Sequence, residues 1–331
     1  MLTRYIVGFG AGLASGVLFA SVLGGSALAV TLIFLAPLPI YIAGLGWGTI
    51  AAILGGAGGL AVIIPVLGPK SAIGFLSTLA VPAIFLCYLV SLRRESAATT
   101  PGTGQNTEPA TLIEWYPMGR VIAWAALIAG IISAVSVLFL GTDFESYRTA
   151  INAILDRTIL NDISSGAATP FSKSVLAKYR DTVIWMLPAA SALVWLLGAI
   201  TNIWLAGRIT KASGLLTRPW PDLALIDYPR NFIFGFAASV LAAFMPGFPG
   251  LIATGFAAAF FFAYVLLGLA IIHTITRKLA MRPMLLFTLY FGLLAFGWIS
   301  FLIAIIGLGE PLFKLRERMT NRGNPPAQTG G

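Results

Sequence analysis

The residues best placed for chemistry are few, and all of them sit in apolar surroundings. Pro37 and Pro39 fall in the middle of an apolar run, in Ala36-Pro37-Leu38-Pro39, which leads into Gly44-Leu45-Gly46-Trp47-Gly48. Two prolines there remove two backbone donors and release carbonyls that neighbours, water or a ligand must satisfy. Broken helices of this kind line binding sites in transporters, and they also serve as plain kinks. Asn202, in Gly198-Ala199-Ile200-Thr201-Asn202, carries an amide deep in another apolar run, where it either joins helices or contacts a ligand. His273, the single histidine, stands near the end of a further run beside Thr274 and Thr276, with no cysteine or carboxylate at metal-ligand spacing. It reads as a hydrogen-bonded interfacial residue or as a ligand contact. Pro37, Pro39, Asn202 and His273 are therefore the candidate ligand-binding residues. No residue is a candidate for catalysis or metal ligation.

What is missing narrows the function further. Membrane enzymes need a nucleophile with a base, a metal cluster or paired carboxylates, and here one histidine has no partner evident in the sequence. There is no GxxxxGK[ST] loop for ATP, and no carboxylate in mid-span of the sort proton-coupled pumps keep. The expectation is a non-enzyme without cofactor. Cys87 is alone in an apolar run, so an internal disulfide is impossible and the thiol reads as a small packing residue.

A second pattern concerns association rather than ligands. Gly8, Gly12, Gly16 and Ala20 form one stripe of the first run, and Gly44, Gly48, Ala52 and Gly56 form another. Small residues four apart let helix backbones approach closely in lipid. The first stripe is read as a close helix contact, either within this chain or as a docking face for another membrane protein.

The elements that carry these residues are membrane spans. Hydrophobic residues make up 58% of the 331-residue chain and charged ones 10%, against about 25% charged in soluble domains. The acidic residues fall outside the apolar runs or at their edges, as expected when a charge in mid-bilayer costs about 2.5–3.5 kcal/mol. The net charge of +9 does not point to nucleic acid, because the basic residues cluster at the ends of the runs: Arg93-Arg94, Arg208 with Lys211, Arg277-Lys278 with Arg282, and Lys314 to Arg318. That placement fits topology signals and contacts with anionic headgroups. The tryptophans Trp185, Trp195, Trp204, Trp220 and Trp298 read as interface anchors or packing.

The fold class expected is all-α: a polytopic bundle of about 8–9 transmembrane helices with one amphipathic surface helix. Residues 1–95 form an N-terminal four-helix block with spans near 5–23, 27–45, 47–67 and 72–92; residues 96–117 form a polar linker; residues 118–309 form a C-terminal block; residues 310–331 form a basic tail. Further spans are expected near 119–140, 183–207, 231–246, 250–276 and 283–308, with a turn at Pro246 to Gly250. The surface helix is placed at about 143–160, opened by a Thr142/Glu145 capping box, with Phe144, Tyr147, Ile151, Ile154 and Leu155 on its apolar side. It is either a lid or a connector packed on the bundle. A cleaved leader is disfavoured: Arg4 and Ala27-Leu28-Ala29 fit one, but the run between them is long and glycine-rich. With the N-terminus inside, Arg4, Arg93, Arg94, Arg120, Arg208 and Lys211 fall on the cytoplasmic side.

The Ala-Pro-Leu-Pro helix leading to Gly46-Trp47-Gly48, the glycine-rich third span, Gly268 to His273, Arg282 and the closing Gly307-Leu308-Gly309-Glu310 resemble the YybS-like family of uncharacterised membrane proteins (DUF2232). The likeness covers nearly the whole chain; the family pattern favours Asp where this chain has Glu310. The resemblance implies a distant relation to the substrate-binding subunits of energy-coupling-factor vitamin transporters and to MreD-like shape proteins. Two functions follow as expectations. One is a membrane transport component that binds a small molecule and depends on a partner; the other is a non-catalytic scaffold or assembly factor. Either belongs in the inner (plasma) membrane of a bacterium, with lipid and another membrane protein as partners and no nucleic acid.

Overall fold

The computed structural model describes residues 2–25, 27–97, 111–164, 170–222 and 226–313. It is helical almost throughout, because backbone polar groups in hydrocarbon have no partners but one another. In chain order the helices are α1 (Leu2–Ala20), α2 (Ala27–Leu35), α3 (Leu38–Trp47), α4 (Thr49–Leu67), α5 (Pro69–Phe75), α6 (Val81–Ser91), α7 (Met118–Leu140), α8 (Phe144–Ser164), α9 (Pro170–Ala212), α10 (Phe232–Ala243), α11 (Phe248–Ile275), α12 (Arg282–Ala295) and α13 (Ile299–Phe313). Among the described residues, seven segments are long and apolar enough to cross a membrane: Leu2–Gly24, Leu28–Trp47, Thr49–Leu67, Pro69–Ser91, Met118–Leu140, Lys178–Ala212 and Phe248–Ile275. Helices α10, α12 and α13 are apolar but shorter. The protein is thus an all-α helical membrane bundle.

Two compact units are formed, each from two stretches of chain: Met1–Ala125 with Leu196–Pro221, and Ala126–Trp195 with Asp222–Gly331. The segment 96–117 therefore lies within the first unit. Its flanks are two short antiparallel strands, β1 (Arg93–Ala97) and β2 (Thr111–Trp115), with Arg94 opposite Glu114. Residues 98–110 of that linker, and the tail from 314 onward, lie outside the described residues.

In the first unit α1 and α4 run side by side in the same direction. Gly8 meets Ala51, Gly12 meets Gly55 and Gly58, and Gly16 meets Gly59 and Val62, so positions on both helices rise together. A methyl group on Gly12 would lie 2.8 Å from the Gly58 Cα and collide with the Gly55 carbonyl. On Gly16 it would lie 2.8 Å from the Val62 Cβ. A parallel pair needs an intervening return, which α2 and α3 provide, and α3 turns into α4 through Gly48 alone. At φ +90° that residue occupies backbone space that side chains with a Cβ avoid. Before α6 the chain makes a π-helical turn, Leu76–Ala80, which accommodates the missing donor of Pro82.

In the second unit α8 lays Phe144, Tyr147, Ile151 and Leu155 against Val137 of α7, Ile184 of α9 and Leu251 of α11. Ile154, expected on that side, is exposed. The polar side is tied by ion pairs, Arg148 to Asp181 at 2.9 Å and Arg180 to Asp156 at 2.6 Å. Helices α11 and α13 form a second close seam, antiparallel this time: a methyl on Gly268 would lie 2.8 Å from Ile303, and one on Gly307 would lie 3.0 Å from the Gly268 amide nitrogen.

Two expectations are corrected. The cap of α8 is one residue later than the Thr142/Glu145 box. The Asp143 carboxylate accepts from the Ser146 backbone N–H at 2.9 Å, and the Ser146 hydroxyl accepts from the Asp143 N–H at 3.2 Å. A carboxylate is the better acceptor at the positive end of a helix. The last span is not one helix over 283–308 but two, α12 and α13, parted at Phe296, whose backbone turns to φ −132° and ψ 85°. No proline marks that break, so the apolar run reads straight through it.

Candidate functional site

The break in the second span is built around carbonyls that lost their helical donors. Leu35 ends α2, Ala36 and Pro37 turn, and α3 starts at Leu38 with Pro39 in its first turn, where a missing N–H does no harm. The Phe34 and Ala36 carbonyls are taken up by side chains from elsewhere in the first unit. Ser15 on α1 donates its hydroxyl to the Ala36 oxygen at 2.6 Å, and Asn202 on α9 donates Nδ2 to the Phe34 oxygen at 2.7 Å. The same Nδ2 donates to the Gly198 oxygen, one turn back on α9, at 2.8 Å, which locks the amide in place. Gly198 leaves room for the Phe34 ring, 3.2 Å from where a methyl would stand.

Asn202 is fully buried, and its Oδ1 is the one end of the amide without a hydrogen-bond donor among the described residues. Both Nδ2 protons are used on carbonyls, so the O/N assignment of the amide follows from its neighbours. A buried acceptor left open costs about 1–3 kcal/mol. Ala36 is also fully buried, while Pro37 and Pro39 are partly so. Below the break, Cys87 packs its Sγ against the α3 backbone beside Gly44, 3.9 Å from the Tyr41 oxygen. It sits as a small buried residue.

His273 belongs to the other unit, on α11. Its Nδ1 is 2.9 Å from the Leu269 oxygen, which places the proton on Nδ1 and leaves Nε2 to accept from the Tyr290 hydroxyl at 3.4 Å. Pro37, Pro39 and Asn202 are thus gathered at one place, and His273 is engaged with α12. The Gly8, Gly12 and Gly16 face is occupied by α4, and Ala20, at the end of α1, is partly buried.

Residues 13–309 match the family described as Predicted membrane protein (DUF2232). The chain belongs to that family. No curated protein matches it, and no solved structure does. The DUF2232 match takes in Pro37, Pro39, Asn202 and His273, starts after Gly8 and Gly12, and ends one residue before Glu310, which is buried at the end of α13.

Several positions that hold this DUF2232 protein together carry little signal in the sequence. Ser15 is a small polar residue within the glycine stripe, and its place three residues after Gly12 is the one available hint. Pro188 lies inside α9 and removes the donor that Ile184 would have used. The Tyr147 hydroxyl of α8 fills that gap, donating to the Ile184 oxygen at 3.3 Å, and burial pushes the phenol up to about 12, which keeps it a donor. Ser133 of α7 donates to the Pro188 oxygen at 2.7 Å, and Ser191 does so at 2.9 Å.

Proposed function

We propose that this DUF2232 protein is a non-enzymatic membrane component that binds a small neutral molecule at the broken second span and acts with a partner that supplies energy. The reading puts it in the inner (plasma) membrane of a bacterium. One observation supports it above the others: the Asn202 Oδ1, a fully buried acceptor beside the α2–α3 break with no donor among the described residues. A molecule offering one N–H or O–H to that oxygen and an apolar body to Phe34 and the α3 backbone would remove the cost of the open acceptor. Access requires the α2–α3 joint to move, and such joints at broken helices are where transporters gate. Binding rather than catalysis is favoured because both nitrogens of His273 are already engaged within the protein.

The test is native mass spectrometry of the gently solubilised full chain, wild type beside Asn202→Ala. The expected result is a bound small molecule on the wild type that the variant loses while its fold survives. A wild type that carries no small molecule but retains stable membrane subunits, with the variant behaving alike, would replace this reading with the assembly-factor one.

A further inference from the structure

At one end of the first unit, basic side chains are held against aromatic rings instead of carboxylates. The Arg208 guanidinium carbon lies 5.7 Å and the Lys211 Nζ 5.4 Å from the centre of the same Trp220 ring. Arg208 is also 6.0 Å from Trp204, one turn back on α9. Trp220 is fixed there by Gly207, where a methyl would stand 3.3 Å from the ring. Two residues before Trp220, Arg218 is half-buried, donates to the Val90 oxygen at 3.3 Å and stands 5.9 Å from the Trp115 ring. Burial pulls its guanidinium below the usual arginine range, so its charge is held at a cost.

Four other described basic residues are paired with carboxylates, and the ring that Arg208 and Lys211 share sets these two apart from the remaining unpaired ones. Arg93 has Glu95, Arg148 and Arg180 have Asp181 and Asp156, and Arg277 has Asp222 at 2.5 Å. Arg208, Lys211 and Arg218 have no carboxylate partner among the described residues. Arg208 and Lys211 share the Trp220 ring and Arg218 lies over Trp115, so three cations near the ends of α6 and α9 have ring partners and no counter-ion, which suits them to an anion.

We propose that Arg208, Lys211 and Arg218, with Trp204 and Trp220, bind the phosphodiester headgroup of an anionic phospholipid. The site stands where the sixth apolar segment ends at Ala212 and α6 ends at Ser91, which is headgroup depth. The guanidiniums supply forked donors for phosphate oxygens and the lysine a point charge. A free anion would use only these. The exposed Trp204, one turn nearer the middle of the span, gives the glycerol and first acyl carbons a surface, and that selects a lipid.

Full-length protein in neutral detergent, offered phosphatidylglycerol and phosphatidylcholine in equal amounts, tests this by native mass spectrometry. The wild type and Lys70→Gln should retain phosphatidylglycerol preferentially. The double variant Arg208→Gln with Lys211→Gln should lose that preference by roughly 10- to 30-fold, at about one tenfold step or less per cation. Equal retention of phosphatidylglycerol by wild type and double variant overturns the proposal, as does equal retention of the two lipids by the wild type. Displacement of phosphatidylglycerol by millimolar inorganic phosphate would make it a free-anion site and overturn the lipid assignment. Should the double variant not fold, the charge-keeping Arg208→Lys with Lys211→Arg must hold the preference, and raising salt on the wild type must abolish it.

Discussion

Ser15, Asn202 and Tyr147 do one kind of work: each gives a hydrogen to a carbonyl that a proline has left without one, or that lies beside a proline break. This makes their contributions conditional, which can be measured. Tyr147→Phe should cost about 1 kcal/mol of stability in detergent, because the Ile184 carbonyl then has no donor. In a Pro188→Ala background the helix supplies its own donor to Ile184, so the same change should cost almost nothing. Denaturant titration of the four proteins gives the coupling, and additive effects would show that the hydroxyl does not serve the proline gap. The carboxylate at the start of α8 makes a second residue-scale prediction. The Ser146 backbone N–H, then the Ser146 hydroxyl, hold Asp143 below the usual carboxylate range. A group whose folded value is depressed stabilises fully above its unfolded value, near pH 4, and loses that effect as pH falls through the folded value. Amide exchange at residues 144–148 should therefore quicken below about pH 4 beyond its intrinsic trend. In Asp143→Asn the quickening should be absent.

At the scale of elements, the α1–α4 seam is set by what the glycines lack. Gly12→Ala should destabilise the protein by about 1–3 kcal/mol, since the methyl meets backbone that cannot yield without parting the helices. Gly10→Ala, with nothing within 4 Å, should be neutral or slightly favourable. A thermal melt of the two variants decides it, and equal stability would mean that the seam is not close. The stripe was legible in the sequence because spacing of four puts residues on one helix face, whereas its partner was not, because facing helices leave no mark on each other's periodicity. The same limit explains span two. Pro37 and Pro39 announce a break, but the donors that cover it come from Ser15 and Asn202, each far away in the chain, and only the fold brings them there. Asn202 stood out as an amide in an apolar run; Ser15 and Tyr147 looked ordinary. The Phe296 break is faint in the sequence because Gly297, which follows it, leaves the apolar composition of the run unchanged, and no proline or charge stands there.

For the molecule as a whole, the sides of the first unit follow from the parallel pair. The starts of α1 and α4, the end of α3 beside Thr210, and the ends of α6 and α9 share one face, and the start of α5 takes the other, because it follows the far end of α4. Arg94→Cys and Ser213→Cys should thus react with an impermeant maleimide from one side of the membrane and Lys70→Cys from the other, while the native Cys87, fully buried, stays silent. Labelling of all three from one side would break the arrangement. The parallel seam also constrains synthesis. Gly12 leaves the ribosome roughly 40 residues before its partner Gly55, an interval of roughly 2–8 s at about 5–20 residues per second. For that time α1 is in the membrane with its glycine face uncovered, and α2 and α3 must thread back across before α4 arrives to close it. A nascent chain stalled within that window is the species an insertase or quality-control protease would meet, and substitutions along the seam should lengthen the encounter before they show in the finished protein.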